Sequence, residues 1–419
     1  MKVCYLTWGE TPRSYGVFGS QVIEQFVATQ KKMSEHSFYF ISAVPIIHSG
    51  FFREKIKYRG EIKKIKQKLG NIKFISIPIF ASQNFVNSSK STFNFMHYGT
   101  HIILRNIFKG LQPDIVHCRS YHAAWAALKV KEKYNFKYKI IFDPRGLWPE
   151  EISLKKGFNE NSPDYRFLKS IENQLLCGCD LVISVSDTML QYLKKMNVKN
   201  LECIYLSADT KKLRNENDNK DNEYINVGYV GVLSETTWHK PKDLLELYIK
   251  IRENVKNTRL FIVTTSSHTD IKKIFSEIPV EELVLISTKS IDELKIVLNK
   301  LDFGLMSYFK PENKKDILLA KMVLGVKIAE YLSAGLPIIV NKMCGGASNI
   351  IDYFNIGISY DPNSFKEINK ENILKFVNDN KHFERNAIAE KLFDYNNNAT
   401  KYKLVYDRLY KEYYKSISQ

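Results

Sequence analysis

Short apolar runs bounded by turn residues recur along the 419-residue chain, and the stretches between them repeat their apolar positions with a helical period. In the first half the runs are Lys2–Thr7, Ser37–Ala43, Ile72–Ile79, Asp114–Ser120, Lys139–Gly146, Asp180–Ser186 and Leu201–Ser207. Between them a helix is expected from Ser20, as its cap, to about Lys32, another over residues 91–110, and an Ala-rich one over Tyr121–Tyr134. After residue 226 the alternation restarts with Asn226–Val232, Leu260–Thr264, Leu283–Ser287 and Asp302–Ser307, and Ser290 with Glu293 reads as a capping box. A last amphipathic helix covers roughly residues 396–415. Strands alternating with helices in this way predict an α/β protein built on doubly wound parallel sheets.

One stretch interrupts the pattern. Ser207–Asn226 is polar, Asn-rich and charged at both signs, and so reads as a linker between a domain of residues 1–208 and a second of residues 209–395. In the second domain, Val326–Asn341 reads as helix, tight stop and buried strand. Leu324, Ile328 and Leu332 line its apolar face, Gly335 can take the left-handed stop, and Pro337 cannot continue a helix. Lys327 and Glu330 share a more polar face, either as a solvated pair worth about 0.3–0.5 kcal/mol or as a binding site.

Polar residues at the carboxyl ends of parallel strands face the ligand crevice. His117, Arg119 and His122 cluster at one such end, and Asp143, Arg145, Trp148, Glu150 and Glu151 at the next. A lone histidine there is usually structural; two consecutive ends bearing His/Arg and Asp/Arg/Glu point to chemistry. The loop Trp8–Gly19, with Gly9, Gly16 and Gly19, is a plain turn or an anion site, but its spacing is not that of a dinucleotide fingerprint. The loop after Val232 carries Thr236, Thr237, Trp238, His239 and Lys240, and Cys344-Gly-Gly-Ala offers another close backbone approach.

Composition narrows the partners. Hydrophobic content of 44% and charged content of 26% describe a globular protein, with no apolar run long enough to span a bilayer. The N-terminal MKVCYLTWG leads straight into a strand, so no secretory signal is expected, and the six scattered cysteines read as reduced core thiols of a cytoplasmic protein. A formal charge of +17 favours an anionic partner. The tract 53–73 carries nine Lys/Arg against two Glu, and Ile62, Ile65 and Leu69 give it an apolar stripe. It is either a peripheral membrane contact or a solvated excursion. Nucleic acid is not expected, since no zinc finger, RNP motif or basic zipper is present.

The phrases K-x-x-E-Y-L-x-x-G-L-P-I-I from Lys327, DIVHCRSYHAAWAAL from Asp114, and IIFDPRGLWPEE from Ile140 resemble the retaining GT-B glycosyltransferases of family 4. The similarity is to a subgroup lacking the first glutamate of the family's paired-glutamate motif. It implies two Rossmann-like domains, with the C-terminal helix 396–419 crossing back to the first. Glu330 then binds the donor's ribose hydroxyls; Lys327, Lys240 and Gly231 hold the diphosphate, and Gly16 and Gly19 face the donor. His117, Arg119, Asp143 and Arg145 fall at the catalytic centre, and His122, Trp148 and Glu151 line the acceptor side. The implied reaction moves a sugar from a nucleoside-diphosphate-sugar to a glycan, lipid-linked or protein hydroxyl with retention, needing no metal and no cofactor. Three positions depart from the family pattern: Met322 replaces a glutamate, Gly325 a proline, and Val232 an Arg or Ser. Other readings are a nucleotide-sugar epimerase, a phosphorylase, or a non-catalytic partner that binds polyanions.

Overall fold

In the first of two sheets, β1 (Lys2–Trp8), β2 (Ser37–Pro45), β3 (Lys73–Ile79), β4 (Ile115–Arg119), β5 (Lys139–Asp143), β6 (Leu181–Ser184) and β7 (Leu201–Cys203) pair in the order β3-β2-β1-β4-β5-β6-β7. The second orders β8 (Ile225–Val230), β9 (Thr258–Val263), β10 (Leu283–Ile286), β11 (Phe303–Met306), β12 (Ile338–Asn341) and β13 (Gly357–Tyr360) as β10-β9-β8-β11-β12-β13. All pairings between these strands are parallel. Winding reverses between β1 and β4 and again between β8 and β11, so each sheet has a topological switch point. This computed structural model describes residues 1–45, 51–81, 89–215, 223–235, 237–322 and 324–418, without the side chains of 51–57 and 416–418. Thr236 and residues 216–222 of the polar stretch thus lie outside the described residues.

The chain forms two units, Met1–Tyr205 with Asn398–Gln419, and Leu206–Asn397. In the first, Val3, Tyr5, Phe40, Ile115 and Ile141 of the sheet pack against Phe26, Ile65 and Leu69 of neighbouring helices. Tyr402, Val405, Tyr406 and Leu409 of the C-terminal helix Tyr395–Ser418 close the same core. The second core joins Val227, Tyr229, Leu260, Ile262, Phe303, Leu305 and Ile339 of its strands to Leu244, Leu247, Tyr248 and Ile251 of the helix Pro241–Asn254. No described helix is long and apolar enough to cross a membrane.

Several local expectations need correction. The first helix opens at Gly16, with a π-helical stretch over Gly19–Glu24, so Ser20 lies inside it; its hydroxyl donates back to the Gly16 carbonyl (3.0 Å) instead of capping. Residues 91–110 form two helices, Lys90–Met96 and Thr100–Leu111, because Gly99 takes φ +69° between them. The start of the polar stretch is ordered: Ala208 N–H donates to the Phe393 carbonyl (2.8 Å), and Asp209 caps Thr210–Leu213. Ser290 caps its helix, but Glu293 reaches back to the N–H of Lys289 (2.7 Å), one residue beyond the Ser290 N–H that a full box uses. In the basic helix Phe51–Leu69, Ile65 and Leu69 turn into the core, Ile62 is half-buried, and Arg59, Lys63, Lys66 and Lys68 face out. All six cysteines are free; Cys4, Cys118 and Cys344 are buried, and Cys177 is exposed.

Candidate functional site

Backbone strain marks where both sheets meet solvent. Gly9 (φ +78°), Ser120 (+81°) and Arg145 (+65°) follow β1, β4 and β5; Gly231 (+132°) and Tyr308 (+43°) follow β8 and β11. For a non-glycine residue such a conformation costs on the order of 1–3 kcal/mol, and it clusters at sites where geometry is over-determined.

In the first unit, His117 is buried among Tyr5, Tyr402 and Tyr406 (centroids 4.7, 5.5 and 5.9 Å). Its Nδ1 lies 2.7 Å from the Tyr406 hydroxyl, whereas Nε2 is 3.8 Å from Asp143 Oδ2, too far for a hydrogen bond. Burial lowers its pKa despite Asp143, leaving a neutral imidazole. Burial pushes the Asp143 carboxyl up, but Arg145 (3.2 Å), His117 and Arg119 together hold it below its ordinary value. Arg145 also donates to Gln21 Oε1 (3.4 Å). Arg119 is buried with Nε 3.8 Å from Glu10, and its Nε and Nη1 have no hydrogen-bond partner among the described residues. Buried donors left free in this way are unusual and fit a site that awaits an acceptor atom.

His122 is buried between Phe93 and Trp148 (4.8 and 4.9 Å), and burial pulls its pKa down to about 3. His97, which no sequence signal singled out, stacks on Trp8 (5.0 Å) and brings Nε2 to 3.1 Å from His122 Nδ1. Glu151 is half-buried beside Gly146, where a Cβ would collide with its carboxylate; burial raises its pKa. Glu150 turns inward instead, to Lys169 (2.8 Å) and Tyr165 (3.3 Å), a structural role. The glycine loop is tied from outside: Ser14 N–H and hydroxyl both donate to Glu61 (2.8 and 2.6 Å) on the basic helix. Gly19 must lack a side chain, since a Cβ would lie 2.6 Å from the Ser14 carbonyl; Gly16, at φ +63°, is exposed.

The second unit assembles its group around Tyr331. Its hydroxyl accepts from Val230 N–H (2.9 Å) and donates to the Leu305 carbonyl (3.3 Å), pinning the helix Lys327–Ser333 across the ends of β8 and β11. Asn386 Nδ2 donates to the Leu332 and Ser333 carbonyls (3.2 and 2.8 Å), satisfying that helix's last turn. Lys327 and Glu330 are therefore held at the switch point. The Lys327 ammonium lies 5.2 Å from the Tyr229 ring centre, and a Cβ on Gly231 would come within 2.8 Å of it. Burial lowers Lys327 to about 8, against the pull of Glu330; burial raises Glu330, against Lys327. His239 stacks on Tyr308 (4.3 Å) and accepts from its N–H at Nδ1 (3.3 Å). Lys240, next in sequence, lies 6.0 Å from the Phe309 ring. Tyr229, Tyr308 and Tyr331 were illegible beforehand because they look like core aromatics, and they are core aromatics whose hydroxyls or backbone face the site. Among the described residues no group of three or more His, Cys, Asp or Glu is placed to hold a metal ion.

Residues 76–212 match the family model described as Glycosyltransferase Family 4. No curated protein matches the chain. Among solved structures, a glycosyltransferase from Rickettsia africae is 16% identical, with a TM-score of 0.67 over 97% of this chain and 98% of its own. Anabaena HepE in complex with UDP is 12% identical, with a TM-score of 0.64 over 97% of this chain and 100% of its own. The UDP-GlcNAc 2-epimerase of Neisseria meningitidis, bound to UDP-GlcNAc, is 11% identical, with a TM-score of 0.54 over 98% of this chain and 100% of its own. At such identities the likeness is one of fold. The chain has the GT-B fold, and its segment 76–212 is similar to glycosyltransferase family 4.

Proposed function

We propose that the protein moves a sugar from a nucleoside-diphosphate-sugar to an acceptor hydroxyl with retention of configuration. The observation that carries this reading is the Lys327–Glu330 pair at the β8/β11 switch point, where the absence of a side chain on Gly231 lets the Lys327 ammonium lie against the end of β8. Glu330 accepts no hydrogen bond from any described residue, so both oxygens are open to the ribose hydroxyls. The leaving diphosphate gathers negative charge as the glycosidic bond breaks, and Lys327, assisted by Lys240, stabilises it more in the transition state than in the ground state. That electrostatic work lets transfer proceed without a divalent metal. In the first unit, the unpartnered donors of Arg119 and the Asp143–Arg145 pair are suited to sugar hydroxyls, with the Asp143 carboxyl held below its ordinary value. His122, Trp148 and Glu151 receive the acceptor. Proteins of similar fold bound to UDP and to UDP-GlcNAc support a uridine donor. Surface polysaccharide or glycolipid synthesis at the cytoplasmic side of a membrane is the setting we favour, supported by the +17 charge.

The test is a panel of nucleotide-sugars screened by thermal shift, followed by product analysis with the stabilising donor. A new glycoside with retained anomeric configuration is expected, and Glu330→Gln should weaken donor binding about tenfold or more through lost charge-assisted hydrogen bonds. An epimerised nucleotide-sugar without glycoside would overturn transfer. Unchanged nucleotide binding in Glu330→Gln would overturn the site.

A further inference from the structure

Residues 62–113 hold eight Lys and Arg and not one Asp or Glu. Within this segment the helix Thr100–Leu111 buries Thr100, Leu104 and Phe108 along one face and leaves Ile102 and Ile103 51% and 39% exposed. Just before it, Phe95 and Tyr98 are 47% and 76% exposed, and the Phe80 ring, itself 49% exposed, lies 6.2 Å from that of Phe95. Single exposed apolar side chains are ordinary, but five in one short segment make a patch. Cations edge it: Lys90 and Lys109 are exposed, and Arg105 lies against the Tyr134 ring (4.8 Å). The nearby Glu132 is neutralised by Lys129 (2.8 Å).

We propose that this patch seats the protein on a bilayer surface carrying anionic phospholipid. Tyr98, Phe95, Ile102 and Ile103 enter the boundary between headgroups and acyl chains, while Lys90, Arg105 and Lys109 meet lipid phosphates. The charge argues against a second copy of the chain as occupant, because a two-fold contact sets this cationic rim against itself. The basic helix Phe51–Leu69 supplies long-range attraction through its exposed Arg59, Lys63, Lys66 and Lys68, while its Ile65 and Leu69 are spent on the core. The inference deepens the membrane setting proposed above and rests on it, but not on transfer chemistry, so vesicle binding tests it whatever the donor proves to be.

The experiment is co-sedimentation of the full chain with phosphatidylcholine vesicles, with and without phosphatidylglycerol, at low and high salt. Wild type should bind the phosphatidylglycerol vesicles and keep part of that binding at high salt. Tyr98→Ser/Ile102→Ser/Ile103→Ser should lower partitioning about tenfold or more at both salts, with an unchanged melting curve as the folding control. Tyr98→Ser alone should lose less in the same direction. Lys63→Gln/Lys66→Gln should lose only the salt-sensitive part. The proposal is overturned if wild type ignores the vesicles, if the serine variants bind as wild type does, or if they instead abolish a self-association seen without lipid.

Discussion

Lys327 shows how one side chain can be costly to the fold and useful to the site. In the folded protein burial holds its ammonium down to about 8, from an ordinary 10.5, with Glu330 pulling the other way. Between those values the unfolded chain binds more protons than the folded one, so stability rises as pH is raised through that window, and at neutral pH the charged lysine is a net cost. Lys327→Met is therefore expected to raise the melting temperature of the ligand-free protein and to flatten its pH dependence between about 8 and 10.5. The same variant should lose the donor-induced thermal shift. In wild type, calorimetry should show donor affinity falling as pH rises through about 8, because the diphosphate needs the protonated form. Gly231→Ala tests the neighbouring backbone. Its Cβ meets the Lys327 ammonium at a φ of +132°, so donor binding and stability should both drop.

At the scale of elements, the helix Lys327–Ser333 is too short to be stable alone and is placed by what it packs on. Gly304 in β11 has no Cβ, which leaves room for the Tyr331 ring; any side chain there would collide with it. Gly304→Ala should cost about 1–3 kcal/mol in urea unfolding and shift the helix enough to weaken donor binding. The glycine loop after β1 depends likewise on a distant helix. Burial pushes Glu61 up, but the two Ser14 donors and Lys64 bring it down to about 2. Its contribution is thus present above the ordinary carboxylate value and lost only as pH falls toward 2. Glu61→Gln should release the loop, seen as faster proteolysis within residues 9–15 and a loss of about 1–3 kcal/mol. These ties explain what was legible beforehand. Strand runs such as DIVHCRS and PIIVN declare themselves because both sheet faces are covered, and Gly335 stops its helix at φ +77° as its sequence context predicts. Ser14–Glu61, Tyr331–Val230 and His97–His122 span between 25 and 101 residues, and no local period encodes such contacts. Ser20 misled because the same hydroxyl suits a cap and a bond back to its own helix.

For the molecule as a whole, two units with separate cores should respond separately to acid and to ligand. His97, His117 and His122 of the first unit are held neutral by burial, their pKa values all lowered. The second unit has a comparable group in His239. As pH falls below the ordinary histidine value, the unfolded chain takes up protons that the folded units refuse, at about 1.4 kcal/mol per pH unit for each such group. The first unit carries more of these groups, so acid should weaken it faster. Three of the four tryptophans, Trp8, Trp125 and Trp148, belong to it, and Trp238 to the second, which makes indole fluorescence mainly a probe of the first. Between pH 7 and pH 5 the urea midpoint followed by fluorescence should therefore fall further than that of the remaining transition followed by circular dichroism. A saturating nucleoside diphosphate should move only the second transition, by about 2.7 kcal/mol at a hundredfold excess over its Kd, because Lys327 and Glu330 lie in the second unit. A single transition that shifts as one with both acid and nucleotide would mean that the units unfold together, and a nucleotide shift confined to the fluorescence transition would put the donor in the wrong half.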